Sequence, residues 1–213
     1  MVRTADAPKF LVRVHPRHSL VRNGALSYVL LSLPLFGALY FLGAPRGTWP
    51  IALAAHLASI LVVSIGYVIY RRIYIGVTPT EIHERGVLGR ATITPLSEVT
   101  QAILVSTYRS SSTEMTQQLL LCDSNDRRLV RMRGIFWTES AMRAVAAVSG
   151  APLDEDPNPM TSAAFFAHYP GTAYWFENRP VLTVVAVVVA LVAVLGLVLG
   201  LMAVMGIPTE MAL

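Results

Sequence analysis

Three long apolar runs dominate the hydropathy pattern, and none of them contains Asp, Glu, Lys or Arg. They cover Ala25–Leu42, Ile51–Tyr70 and Val181–Ile207. Because a helix needs about 20 apolar residues to cross the hydrocarbon core of a bilayer, each run predicts a transmembrane helix. The short loop around Trp49 makes the first two runs a hairpin, residues 25–70. Residues 181–207 are expected to form a separate third span.

Between the second and third runs, the pattern changes to short stretches with period-two alternation and many β-branched residues. This pattern predicts six strands, namely Tyr74–Thr78, Glu81–Arg85, Ala91–Thr94, Val99–Thr107, Gln117–Cys122 and Arg128–Met132. A helix is expected next, with Thr138 as its N-cap and Gly150 just beyond its end. The expected fold is therefore α+β, with three transmembrane helices and a small β-barrel or sandwich, residues 71–150, capped by one helix.

Two stretches of this region carry a resemblance to a known family. They are YIGVTPTEI at residues 74–82, followed by Gly86, and ITPLSEV at residues 93–99. Residues 71–150 thereby resemble the pleckstrin-homology-like (PH-like) domain of small bacterial membrane proteins, which commonly carry one or more transmembrane hairpins. The resemblance implies a PH-like barrel that serves as a membrane-associated interaction module, and it does not imply catalysis.

Residues 151–180 are interpreted as a linker that leads to the third span. Ala151–Pro159 is acidic and proline-rich, which favours an extended or flexible connector. Asn158 is expected to cap a short helix that runs to Tyr169. Six aromatic residues lie close together, from the end of this helix to just before the third span: Phe165, Phe166, Tyr169, Tyr174, Trp175 and Phe176. They predict either an interfacial helix at the membrane surface or a strip that binds a partner.

Composition agrees with a membrane protein and places its charge unevenly. The 213 residues are 54% hydrophobic and 14% charged, with a net charge of +4. Residues 71–180 contain 11 basic and 11 acidic residues, so the predicted soluble domain is neutral and a nucleic-acid partner is not expected. Nearly all basic residues are Arg, and the spans are rich in Ala and Val. Both features are typical of GC-rich bacteria such as actinobacteria.

The arginines near the span ends predict the orientation. Six of them flank the N-terminal segment and residues 71–180, whereas only Arg46 lies in the opposite loops. By the positive-inside rule, residues 1–24 and the PH-like domain are cytoplasmic, and the tail 208–213 lies outside. A cleaved signal peptide is the alternative for the first run, but 24 residues precede it and no small-x-small site follows it. We therefore expect a multi-pass protein of the bacterial inner membrane.

Two features inside the spans are candidate functional elements. His56 is the one ionisable residue of the apolar runs other than tyrosine, and it is either functional or bonded to water or to a carbonyl group of the first span. Small residues also recur on one face of the third span, where they favour close helix–helix contact. They are Ala186, Ala190, Ala193, Gly196 and Gly200.

One basic cluster lies in the predicted barrel. It comprises Arg127, Arg128, Arg131 and Arg133. Such a cluster either binds an anionic lipid headgroup or an acidic partner, or forms a solvated edge that prevents strand pairing.

Residues with catalytic potential are scattered. Cys122 is the single cysteine, and the five histidines have no metal-ligand spacing. No phosphate-binding glycine loop and no nucleophile elbow occurs. The sequence therefore predicts no enzyme activity, no cofactor and no metal.

These observations predict a non-catalytic accessory subunit of a bacterial inner-membrane complex, with a lipid-transport or envelope-lipid assembly as the first to test. Its partners would be membrane lipids and other integral membrane subunits that contact the third span. A peripheral module that senses lipid headgroups is the alternative. A small transporter or membrane enzyme is the second alternative.

Overall fold

The structure is a computed structural model that describes residues 9–87, 89–108, 115–169 and 180–207. It is a mixed helix and sheet protein, and the elements follow each other along the chain in this order: β1 (Val12–Val14), α1 (His18–Gly43), α2 (Trp49–Arg71), β2 (Tyr74–Val77), β3 (Glu81–Arg85), β4 (Ala91–Pro95), β5 (Gln101–Tyr108), β6 (Met115–Cys122), β7 (Arg128–Arg133), α3 (Glu139–Ser149), β8 (Leu153–Thr161), α4 (Ser162–His168) and α5 (Pro180–Val204).

The chain divides into two compact units. The sheet unit comprises residues 1–18 and 68–173, and the helical unit comprises residues 19–67 and 174–213. The transmembrane hairpin predicted from the sequence is therefore inserted between two segments of the sheet unit.

The helical unit contains α1, α2 and α5, all of which are long and apolar enough to cross a membrane. The three predicted spans are thus confirmed as helices. Between α1 and α2, Gly47 adopts a left-handed conformation with φ of 67°, which glycine accommodates without a Cβ clash. This turn lets α2 begin two residues later, at Trp49.

The sheet unit consists of two four-stranded sheets, in the orders β1-β2-β3-β4 and β7-β6-β5-β8. All six strands predicted from the sequence are present, with ends that differ by up to two residues. Strand β5 begins at Gln101, two residues later than predicted, after a short 3-10 helix at residues 96–98.

Strand β1 was not expected from the sequence. Val12–Val14 lies within the basic N-terminal segment, yet it pairs antiparallel with β2, and Val14 lies opposite Ile75. Three residues are too short for a recognisable alternating pattern. Their partner strand also lies about 60 residues later, beyond the hairpin.

Strand β8 corrects the prediction of a flexible linker. Residues Leu153–Thr161 pair in parallel with β5, starting with Ala102 opposite Leu153. Pro157 and Pro159 lack the N–H that a central strand needs, but β8 is an edge strand, where proline is tolerated. The following helix also begins later than predicted, because Thr161 rather than Asn158 caps α4.

One apolar core joins the two sheets to α3. Its buried side chains come from alternate positions of the strands and from one stripe of the helix, including Ile75, Val77, Ile82, Leu104, Leu119, Leu121, Val130, Met132, Met142 and Val145. The predicted N-cap is confirmed, since Ala141 N donates to Thr138 Oγ1 at 3.2 Å. Gly150 ends the helix in the left-handed region, with φ of 73°.

Candidate functional sites

His56 is held by the first helix of the hairpin. Its ring stacks on Phe36 with the ring centroids 4.1 Å apart and the planes inclined by 8°. The Tyr40 hydroxyl lies 3.1 Å from His56 Nδ1, within hydrogen-bond distance. A second polar contact joins Tyr28 to Ser59 at 2.7 Å. His56 therefore contacts the first span through side chains, whereas the sequence suggested water or a carbonyl group as its partner.

Helix α5 is exposed along most of its described length. Ala186, Ala190 and Ala193 are exposed, as are Gly196 and Gly200. A Cβ placed on either glycine would meet no atom within 4 Å. The small-residue face predicted from the sequence is therefore exposed in the described structure.

Among the residues that the structure describes, the chain is buried near the C-terminal end of α5 and just beyond it. Met205 and Ile207 are buried in a cluster with Phe36, Leu39 and Ala52. Thr48 Oγ1 also donates to the Met205 carbonyl oxygen at 3.4 Å. A Cβ on Gly43 would lie 2.6 Å from Met205 Cε, so the absence of a side chain at Gly43 makes room for this contact. The hairpin turn thus anchors one end of α5.

The structure corrects the expectation of an interfacial or partner-binding strip for one of its six aromatic residues, Phe165. Phe165 in α4 is 0% exposed and packs on the outer face of the second sheet, against Ile103, Val105, Leu120 and Cys122. Phe166 and Tyr169 pack at the edge of the same cluster. Tyr174, Trp175 and Phe176 lie outside the described residues. Phe165 is therefore a core residue of the sheet unit and not available to a membrane or a partner.

The arginine cluster is also divided by the fold. Arg131 is only 5% exposed, and its Nε and Nη2 donate to Gln118 Oε1 at 3.0 and 2.6 Å. Its guanidinium lies 5.3 Å from the ring centroids of both Phe165 and Phe166. Helix α4 covers this side chain, which the strand pattern alone would leave in solvent. Arg131 is therefore part of the interior and is removed from the predicted surface patch.

The other three arginines differ in exposure. Arg127 is exposed in the turn before β7, whereas Arg128 and Arg133 are half-buried. Arg133 lies 5.7 Å from the ring centroid of Phe136. Of the predicted cluster, the structure brings only Arg127 and Arg128 to a common concave surface.

That surface is a cleft of about 780 Å³ within the sheet unit. It is lined by side chains of both charges and by two rings: Gln101, Ile103, Cys122, Asn125, Asp126, Arg127, Arg128, Asp154, His168 and Tyr169. The sequence did not predict this cleft, because Asp154 comes from β8 and His168 and Tyr169 come from the end of α4. The first segment was interpreted as a linker, and the second as a short helix with an aromatic strip.

Electrostatics disfavour the thiolate form of Cys122 in the cleft. Burial raises the pKa of the Cys122 thiol, and the carboxylates of Asp126 and Asp123 raise it further, although Arg128 opposes them. The thiol is thus kept protonated at neutral pH and is a poor nucleophile. Burial also raises the pKa of the Tyr169 hydroxyl, with Asp156 and Asp154 acting in the same direction.

Metal ligands do not cluster in the part of the chain that the structure describes, where no group of three His, Cys, Asp or Glu could hold an ion. No family profile, curated protein or solved structure matches the chain. Its function is therefore inferred from its own residues.

Proposed function

We propose that this protein is a non-catalytic accessory subunit of a bacterial inner-membrane complex, and that it docks on another integral membrane subunit through α5. The observation that carries the proposal is the contrast along this helix. Its C-terminal end packs on the hairpin turn, whereas its small-residue face is bare. In lipid, close packing of small residues is a main source of helix association.

Residues of α5 lie on two opposite sides of the helix, one of which is the proposed docking face. At 100° per residue, Ala186, Ala190, Ala193, Gly196 and Gly200 fall on one side, and Val184, Val188, Leu191 and Leu195 on the other. Both sides are exposed in the described structure. Lipid suffices to cover the large side chains, but the flat small-residue face is better suited to a second helix.

A PH-like role for the sheet unit is part of the same proposal. Two four-stranded sheets that share one core with a capping helix are consistent with the resemblance of residues 71–150 to that family. In this proposal, the sheet unit contacts cytoplasmic components of the complex, and α5 contacts its membrane subunit.

The pairing of β1 with β2 supports the proposed orientation. Val14 lies opposite Ile75. Because α1 follows β1 and β2 follows α2 along the chain, both ends of the hairpin connect to the same strand pair. The N-terminal segment and the sheet unit then share one side of the membrane, and the hairpin turn lies on the other. The arginine distribution makes the shared side the cytoplasm and puts the C-terminal tail outside. A lipid-transport or envelope-lipid assembly is the first complex to test.

Co-purification in a mild detergent, followed by mass spectrometry, tests the proposal. We expect the native chain to be recovered with a second membrane protein, and the double variant Gly196→Leu, Gly200→Leu to lose it. Val184→Phe with Val188→Phe adds the same number of side-chain carbon atoms to the opposite side and should retain the partner. Recovery of the native chain alone and monomeric would contradict docking.

A further inference from the structure

The cleft lies where four strand ends meet. Cys122 ends β6 opposite Gln101, which begins β5, and it also lies opposite Arg128, which begins β7. Asp154, near the start of β8, pairs with Ile103. Since the strand order is β7-β6-β5-β8, Arg128 and Asp154 are on opposite edge strands, about 14 Å apart at three strand spacings. The cleft therefore has two ends with different chemistry.

One end of the cleft provides an available cation. No hydrogen bond or ion pair with another described residue engages the Arg127 side chain, and Arg127 is exposed in the turn. Arg128 adds a second positive charge beside it, and Asp126 one negative charge. A guanidinium is well suited to an oxyanion because it donates two parallel N–H bonds.

The other end combines a carboxylate with an aromatic ring. Asp154 and Tyr169 both line it, and burial, together with the carboxylates of Asp156 and Asp154, raises the pKa of the Tyr169 hydroxyl. A carboxylate and an aromatic ring in one cleft suit an alkylammonium ion, through an ion pair and a cation–π contact. The His168 and Tyr169 rings meet edge to face, with the centroids 4.8 Å apart.

The two arginines and two aspartates leave the cleft with little net charge. A ligand of one sign would therefore meet repulsion at one end, whereas a ligand that carries both signs is complementary to both. We propose that this cleft binds a zwitterionic phosphate ester, with the phosphate at Arg127 and an ammonium group between Asp154 and Tyr169. Phosphoethanolamine has this chemistry, either as a lipid headgroup or as a soluble ester. This site is independent of docking through α5.

Calorimetric titration of the full chain in a nonionic detergent tests the proposal. The probe is glycerophosphoethanolamine, and glycerophosphoglycerol serves as the matched ester without the ammonium. We expect binding of the first ester and binding of the second that is weaker by about tenfold or more, the effect of one lost charged contact. Arg127→Gln and Asp154→Asn should each weaken binding of the zwitterion by about the same factor.

Two exposed residues outside the cleft provide controls. Arg90→Gln and Glu98→Gln remove the same charges elsewhere in the sheet unit and should leave the affinity unchanged. Unfolding midpoints of all four variants report whether the fold is retained. The proposal is overturned if the zwitterion does not bind, if both esters bind equally, or if Arg127→Gln and Asp154→Asn bind like the native chain.

A second titration distinguishes the two sources of the ligand. The chain is placed in nanodiscs of phosphatidylglycerol alone or with phosphatidylethanolamine added. Loss of the soluble ester's binding in the second nanodisc supports the site and identifies the membrane headgroup as its occupant. Unchanged binding in both supports the site and identifies the soluble ester.

Discussion

Leucine side chains have opposite surroundings in the two units. Leu120 in β6 is 0% exposed, and Leu197 in α5 is 74% exposed. In the second sheet, protein covers both faces, so consecutive apolar residues such as Leu119, Leu120 and Leu121 are all buried. In α5, apolar residues occur all round, which is typical of a helix with no solvent-facing side. The core apolar side chains of the sheet unit are buried by other residues of that unit, whereas those of α5 need lipid or another protein to cover them.

A phenylalanine truncation tests this difference most strongly. Phe165→Ala should destabilise the sheet unit by about 3–5 kcal/mol, because a fully buried aromatic ring leaves a cavity. Phe41→Ala, at a helical residue that is 79% exposed, should cost the fold far less. Hydrogen exchange of the β5 and β6 amides measures the first effect. Equal protection in the two variants would mean that α4 does not cover the sheet.

A smaller effect is expected where the N-terminal strand joins the sheet. An ideal Cβ on Gly76 would lie 2.5 Å from the ring of Phe10. Gly76→Ala should therefore displace Phe10 and destabilise the sheet unit by about 1–3 kcal/mol. Gly86→Ala, where a Cβ meets no atom within 4 Å, is the control. Denaturant unfolding compares them, and an unchanged midpoint for Gly76→Ala would argue against the β1–β2 pairing.

The smallest expected change in the free energy of unfolding comes from the carboxyl group of Glu84 in the sheet unit. Burial raises the pKa of the Glu84 carboxyl, although Arg128 opposes the shift. A raised pKa means that Glu84 favours folding most below its unfolded pKa, and that this contribution is lost as the pH rises through the folded pKa. Glu84→Gln should therefore be more stable than the native chain at pH 7, by less than about 1 kcal/mol.

The pH dependence provides the check on Glu84. The advantage of Glu84→Gln should disappear below about pH 4, where both states bind the proton. Glu98→Gln, at an exposed carboxylate, is the comparison. A Glu84→Gln variant that is less stable than the native chain at pH 7 would contradict the burial argument.

Local patterns were sufficient to predict the elements whose signal lies within the element. The three long helices have continuous apolar runs, and Thr138 is an N-cap whose hydrogen bond spans only three residues. Strands β1 and β8 escaped prediction, because β1 is three residues long and β8 contains two prolines. Both depend on a partner strand that is distant in the sequence.

The candidate sites were predictable to the same limited extent. The alternation of residues along β7 places Arg131 on one face of the strand and the buried Val130 and Met132 on the other. It could not indicate that α4 covers the face on which Arg131 lies. The cleft depends on β8 and α4 together, so no single segment signals it. By contrast, the small residues of α5 form their face by helical spacing alone.

Site-specific photo-crosslinking in living cells tests the docking of α5 most directly. A crosslinking amino acid is placed at position 193 on the small-residue face or at position 195 on the opposite side. We predict a covalent adduct with another membrane protein from position 193, and only lipid or no adduct from position 195. Equal adducts from both positions, or a protein adduct from position 195 alone, would contradict the account.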